Sequence, residues 1–253
     1  MSIRTATLNG VAQIEIARPE RKNALTEAMY AAMADAIDAA GTDDAVRAVL
    51  ICGQPGVFTA GNDLEDFVAR PPQNDEAPVF RFMRSLSLCE KPVVAAVSGA
   101  AIGIGTTLLL HCDLVYAADD ARFAMPFVGL GLVPEFASSL LVPQLMGGRR
   151  AAERLLLGDP FGAETALECG LVNGVLPPAE VLPHARRIAE RFNALPPSAV
   201  RESKRLMRRA SQAAVQDAIS VEAEVFGRRL KSPEAAEAMQ AFFEKRKPDF
   251  SKF

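Results

Sequence analysis

Residues Lys91–Ser139 read KPVVAAVSGAAIGIGTTLLLHCDLVYAADDARFAMPFVGLGLVPEFASS, and this stretch decides the fold class. Val93–Val97 is wholly apolar and rich in β-branched residues, which predicts a strand buried on both faces. It stops at Ser98-Gly99. Gly103 and Gly105 follow, and Thr106–Leu110 predicts a buried helix. After a strand and a glycine turn, the backbone N–H groups of Ile104 and Gly105 would project from a helix N-terminus. Such a terminus favours developing negative charge.

Upstream, Arg4–Leu8 and Val11–Ala17 predict two strands joined at Asn9-Gly10, a strong hairpin signal. Arg18–Leu25 is a loop. Thr26 then caps a helix whose Met29, Met33, Ile37 and Ala40 recur at helical spacing, ending at Gly41. Ala45–Cys52 predicts a buried strand, Pro71–Asp75 a mobile loop, and Val79–Cys89 a helix. Downstream, Cys112–Ala117, Arg122–Ala124 and Leu171–Leu176 predict strands, and Ala137–Met146 and Gly148–Leu157 helices. From Ala179 onward only helices are expected: Val181–Phe192, Ser198–Arg209, Val215–Leu230 and Pro233–Lys245. Strands alternating with helices and then helices alone indicate an α/β core with a helical C-terminal extension.

The 253 residues, nearly half of them hydrophobic, can bury a full core. No apolar run is long enough to span a bilayer, since Val93–Leu110 is broken by Ser98, glycines and threonines. Met1–Arg4 does not resemble a signal peptide. Cys52, Cys89, Cys112 and Cys169 are scattered and read as reduced core residues, so a cytoplasmic location is expected. A net charge of −3 gives no footprint for nucleic acid. The basic clusters Lys204, Arg205, Arg208, Arg209 and Lys245–Lys247 are solvated faces or contacts for ligand phosphates.

Several chemistries fit poorly. Gly103-Ile104-Gly105 lacks the third glycine of a dinucleotide fingerprint, where Leu108 stands. No serine occupies a nucleophile elbow, and the histidines are His111 and His184. His111 follows three leucines and reads as a satisfied core residue. His111-Cys112-Asp113 is contiguous and lacks metal-ligand spacing, so no metal is expected.

Two glycine turns remain, Phe58-Thr59-Ala60-Gly61-Asn62-Asp63 and Ala101-Ile102-Gly103-Ile104-Gly105. Together with Arg18-Pro19 through Asn23-Ala24-Leu25, Lys91-Pro92-Val93, Cys112-Asp113-Leu114 and Gly170-Leu171-Val172, they resemble the crotonase, or enoyl-CoA hydratase/isomerase, superfamily. The resemblance implies a crotonase-type spiral of ββα units over residues 1–195 and a helical trimerisation region over 196–253. A homotrimer or dimer of trimers would follow. It implies an acyl-CoA thioester as substrate and no cofactor or membrane partner. By position, the amides of Asn62 and Ile104 would form an oxyanion hole. Lys22, Ala24, Ala60, Gly61, Asp63, Leu64, Gly105, Phe127 and Lys245 would contact the substrate, with Lys22 and Lys245 suited to CoA phosphates.

Hydratases of the superfamily resemble one another in using two glutamates, and Thr107 and Phe127 occupy those positions here. Neither exchanges a proton at neutral pH. Val133–Ser139 instead resembles the peroxisomal-type Δ3,Δ2-enoyl-CoA isomerases, whose single glutamate would be Glu135. One carboxylate lying along an acyl chain can take a proton from C2 and return it at C4. Phe127 and Phe136 would raise its pKa and a helix N-terminus would lower it. Asp63, Glu65 and Asp66 compete as bases but read as caps or solvated charges. A hydratase or other crotonase activity, and an acyl-CoA-binding protein without turnover, are the alternatives.

Overall fold

The computed structural model describes residues 2–70, 72 and 76–253. It opens on the expected hairpin. β1 (Ile3–Leu8) and β2 (Val11–Ile16) pair antiparallel, with Leu8 opposite Val11. Asn9 and Gly10 both take left-handed φ angles, 49° and 71°, which match the twist of the flanking strands. α1 (Glu27–Thr42) begins at Thr26, whose hydroxyl accepts the Met29 amide. Gly41 lies inside this helix instead of ending it. The C-terminal end is held by Lys91, whose buried ammonium donates to the Ala40 and Asp43 carbonyls, a favourable place for a cation.

Three turns of a spiral follow. Each lays one strand in a large sheet and one in a small sheet before turning into a helix. The first holds β3 (Ala48–Cys52), β4 (Val57–Thr59), α2 (Leu64–Ala69) and α3 (Pro78–Ser87). The second holds β5 (Val93–Val97), β6 (Ala100–Ile102) and α4 (Ile104–Thr107), which tightens into a 3-10 turn over Leu108–His111. The third holds β7 (Leu114–Ala118), β8 (Arg122–Ala124) and α5 (Ser138–Met146). Next come α6 (Gly148–Ala152), β9 (Phe161–Gly162), α7 (Ala163–Glu168) and β10 (Gly174–Leu176). The chain closes with α8 (Pro178–Glu190), α9 (Pro197–Arg208), α10 (Gln212–Leu230) and α11 (Pro233–Phe243).

The large sheet has the order β1-β2-β3-β5-β7-β10 and is parallel from β2 onward. The small sheet runs β4-β6-β8-β9, with β9 antiparallel. Side chains of β3 and β5 alternate between two cores. Val49, Ile51, Val93 and Ala95 pack with Met33, Ile37, Phe82 and Leu86 of α1 and α3. Leu50, Cys52, Val94 and Ala96 face Val181, Ala185 and Ala189 of α8. Burial on both faces accounts for the unbroken apolar runs. The strands absent from the sequence reading are β4, β6 and β9, which are two or three residues long. Elements that short show no period.

The four cysteines are free thiols. Among the described residues no helix is long and apolar enough to cross a membrane. On α9 and at its end, Arg205 and Arg209 are exposed, as a solvated face would have them, but Lys204 and Arg208 turn inward. Lys204 is buried, and its ammonium meets Asp113 at 2.6 Å, while Arg208 meets the same carboxylate at 2.8 Å. Asp113 also accepts the Val93 amide, so this node ties α9 to the central strand. Asp113→Ala leaves a buried ammonium without its counter-charge. It should lower the free energy of unfolding by about 3–5 kcal/mol, measurable by urea denaturation.

Candidate active site

β4 and β6 are parallel neighbours, with Val57 opposite Ala100 and Thr59 opposite Ala101. Both strands therefore end on the same side, and the turns leaving them, Ala60-Gly61-Asn62 and Gly103-Ile104, stand together. Gly61 has φ 87°, and a Cβ on it would lie 2.7 Å from the Ile102 carbonyl oxygen, so only glycine permits this approach. The Arg18–Leu25 loop braces the first turn. The Leu25 amide donates to the Gly61 carbonyl, Asp63 donates back to Leu25, and Ala60 donates to Lys22. Buried Asn23 donates from its side chain to the Val57 and Phe58 carbonyls. The hydroxyl of Tyr30 donates to the Asn62 side-chain oxygen at 2.5 Å.

Within this bracing, the amides of Asn62 and Ile104 have no acceptor among the described residues, whereas Gly61, Asp63, Gly103, Thr106 and Thr107 all do. Both lie on the wall of a cleft of about 710 Å³. Backbone donors left unpaired in a protein wall are rare, and two side by side suit an oxygen that gains negative charge.

Lys22, Ala24, Ala60, Gly61, Asp63, Leu64 and Phe127 line the same cleft. The Asp63 carboxylate is committed elsewhere. It accepts the Asp66 amide at the start of α2 and pairs with Arg18 at 2.7 Å. Burial pushes this carboxyl up, but Arg18, the Asp66 amide and Arg21 outweigh it and hold the group below its ordinary range. Glu65 pairs with Arg21 and Asp66 with Arg70. Gly105 does not line the cleft. It is buried against Thr59, whose Cγ2 would lie 2.6 Å from an added Cβ. Lys245 is exposed beyond α11 and is not among the lining residues, although Phe242 is.

Glu135 sits in an adjoining small apolar pocket, which shares Asn62, Phe67 and Phe226 with the cleft and is otherwise walled by residues such as Met83, Phe136 and Ile219. Oε1 accepts the Thr107 hydroxyl at 2.5 Å. Oε2 is buried and has no partner among the described residues. Burial is the largest influence on this carboxyl; the Thr107 hydroxyl opposes it and the Glu222 charge adds to it, and the pKa is pushed up to about 8. Desolvation thus wins over any helix terminus. Of the expected aromatic neighbours, Phe136 lines this pocket, whereas Phe127 lines the cleft. The expected loop at Pro71–Asp75 lies outside the described residues apart from Pro72, which touches the small pocket.

The backbone after Glu135 is unusual. Phe136 and Ala137 are both left-handed, φ 60° and 58°, at about 1–3 kcal/mol for each such non-glycine residue. Buried His111 lies within 2.8 Å of the Phe136 carbonyl through Nε2 and stacks on the Phe136 ring at 3.9 Å. Burial drives the His111 pKa down to about 4, so the ring is neutral and Nε2–H donates. Buried Glu222 of α10 accepts the amides of Ala137 and Ser139. Sequence reading missed Tyr30, Thr107 as a partner of Glu135, and Glu222. A tyrosine on the apolar face of α1 and a glutamate inside a polar helix carry no signal of a contact so far away in the chain.

The chain matches the Enoyl-CoA hydratase/isomerase family over residues 6–252. It belongs to that family. Crotonyl-CoA hydratase of Syntrophomonas wolfei is 36% identical over 244 residues, spanning 95% of this chain and 94% of the relative. Enoyl-CoA delta isomerase 2 of Rattus norvegicus is 36% identical over 239 residues, spanning 92% of this chain and 61% of the relative. Among solved structures, OdaA of Pseudomonas aeruginosa superposes with a TM-score of 0.93 at 51% identity, covering 95% of this chain and 98% of that one. The enoyl-CoA hydratase/isomerase of Pseudoalteromonas atlantica gives 0.94 at 42%, covering 99% and 100%. The architecture is the α/β crotonase fold, with two mixed sheets and C-terminal helices.

With 13C-labelled glutamate, the carboxyl signal lost in Glu135→Gln should titrate near pH 8 in the wild-type protein. Thr107→Val should move that midpoint higher, because the hydroxyl favours the ionised form. The folded chain holds this proton more tightly than the unfolded chain. Glu135 therefore withdraws stability as pH rises from about 4.5 toward 8.

Proposed function

We propose that this member of the family is a Δ3,Δ2-enoyl-CoA isomerase in which Glu135 moves the proton. The supporting observation is a buried carboxyl whose Oε2 has no partner among the described residues, in a pocket that shares Asn62 with the cleft lined by the Asn62 and Ile104 amides. A 3-enoyl thioester held there would place its carbonyl oxygen on the Asn62 and Ile104 amides. The carboxylate removes a proton from C2, and the electrons move into a dienolate whose oxygen the amides stabilise. The protonated carboxyl then returns the proton at C4 and the double bond settles between C2 and C3. A pKa of about 8 suits a group that must be base in one step and acid in the next.

Hydration is the second reading, favoured by the names of relatives such as the Syntrophomonas wolfei hydratase. Adding water needs one group to activate the water and one to deliver a proton. At the matched positions stand Thr107, whose hydroxyl is spent on Glu135, and Phe127. Lys22, exposed at the cleft, would meet the CoA phosphates. Lys245 would join it only through movement or from a second copy. A trimer would cover Val221 and Phe243 on the exposed faces of α10 and α11.

Incubated with 3-enoyl and 2-enoyl thioesters side by side, the protein should convert the first and hydrate the second slowly or not at all. The reverse preference overturns the isomerase reading, and tight binding without product leaves a sequestering protein. Glu135→Gln should lower isomerase kcat by roughly 10²–10⁴. Gly61→Ala, which forces the two turns apart, should lower it by roughly 10²–10³ through the oxyanion donors.

A further inference from the structure

We infer that Glu222, on α10, is a positioning residue for Glu135: its carboxylate clamps the left-handed turn from which that side chain projects. The inference rests on Glu135 being the proton-transfer group. Glu222 is 6% exposed and 85 residues from Ala137 in the chain. Its Oε2 accepts the Ala137 amide at 2.6 Å and its Oε1 the Ser139 amide at 2.9 Å. Two amide donors, one on each oxygen, favour the ionised form, whose two oxygens both accept with charge assistance.

What this clamp holds is strained. Phe136 and Ala137 would relax to right-handed or extended backbone if released, and either change redirects the Cα–Cβ bond of Glu135. No glycine stands in this turn to relieve it. The restraints therefore come from outside: His111 on the Phe136 carbonyl, the Thr107 hydroxyl on Glu135 Oε1, and Glu222 on the two amides that follow. His111 and Glu222 each hold one member of the left-handed pair, His111 the Phe136 carbonyl and Glu222 the Ala137 amide. The Ser138 amide, between the two that Glu222 accepts, closes back on the Glu135 carbonyl at 3.1 Å, so the turn is gripped on both sides of its tightest bend.

The same carboxylate acts on Glu135 through space. Among the described residues, the charged and titratable groups facing Glu135 are few. Tyr30 on α1 is neutral, its hydroxyl pushed well above the ordinary range by burial and then by Glu135 itself. His111 is neutral and turned to Phe136, with Arg208 of α9 beyond it on the His111 carbonyl. Glu222 is the remaining one, and a negative charge there favours the protonated form of Glu135. Burial pushes the Glu222 carboxyl up as well, and its contacts with Ser139 and the Ala137 amide draw it part of the way back.

Glu222→Gln tests this. An amide oxygen can serve one of the two N–H groups, and its NH2 repels the other. Isomerase kcat should fall roughly 10- to 100-fold, as for a small misplacement of a reacting group, with KM changed less than about threefold. The 13C titration midpoint of Glu135 should move below its wild-type value. Wild-type kcat with an unmoved midpoint overturns the inference, and so does a kcat loss with an unmoved midpoint and a lowered melting temperature, the mark of a merely structural role. Should Glu222→Gln not fold, Glu222→Asp keeps the charge and shortens the reach. A fall in kcat at constant KM then supports the clamp, and wild-type kcat overturns it. If wild-type protein isomerises no enoyl thioester, the proposed function fails by itself, and the movement or constancy of the Glu135 midpoint still decides the role of Glu222.

Discussion

The parallel pairing of β4 with β6 is the contact on which the site depends. Two three-residue strands have little stability of their own, and each follows a longer, paired strand of the large sheet after a short turn. Their pairing ends both at one level, so two turns distant in sequence emerge as neighbours. Gly61 against the Ile102 carbonyl then sets how near they stand. The amides of Ala60, Gly61, Asp63 and Gly103 are satisfied by local bracing, whereas those of Asn62 and Ile104 have no acceptor among the described residues and line the cleft. The free donors follow from register and turn geometry and require no special side chain.

A second balance governs the carboxyl. Glu135 could have been capped, paired with a cation or left in water, and each would have lowered its pKa. The structure gives it one hydroxyl, from Thr107, among apolar neighbours such as Phe136, Met83 and Ile219. A single neutral hydrogen bond does not repay the desolvation of an ionised carboxylate. The acid therefore sits close to the midpoint between its two forms in neutral to mildly basic solution. Asp63 has the opposite fate, because the Arg18 guanidinium and the Asp66 amide outweigh its burial and hold it ionised.

Much of this could be read from the residues before any coordinates. The hairpin at Asn9-Gly10, the buried strand Val93–Val97 and the helices of the last third follow from turn chemistry and periodicity acting over enough residues to be seen. So do both glycine turns, through motifs of fixed local spacing, while Glu135 is singled out by its resemblance to a family motif. β4, β6 and β9, two or three residues long, carry no alternation and do not appear in the sequence reading, although β8, equally short, does. The basic run on α9 pointed outward by composition, yet Lys204 and Arg208 turn inward to Asp113. Such pairings are decided by where a helix docks. Gly105 looked like a binding residue from its motif, whereas its lack of a side chain serves close packing on Thr59.

The turn at Phe136-Ala137 binds the α/β core to the C-terminal helices. Its carbonyl meets His111, whose own carbonyl takes Arg208 from α9, and its amides meet Glu222 from α10. The C-terminal helices are thus part of the scaffold of the reaction pocket as well as its periphery. A graft exchanging that tail for one from a relative would have to carry the turn with it, or the acid would lose its bearing. Core and tail are in this sense a single heritable unit.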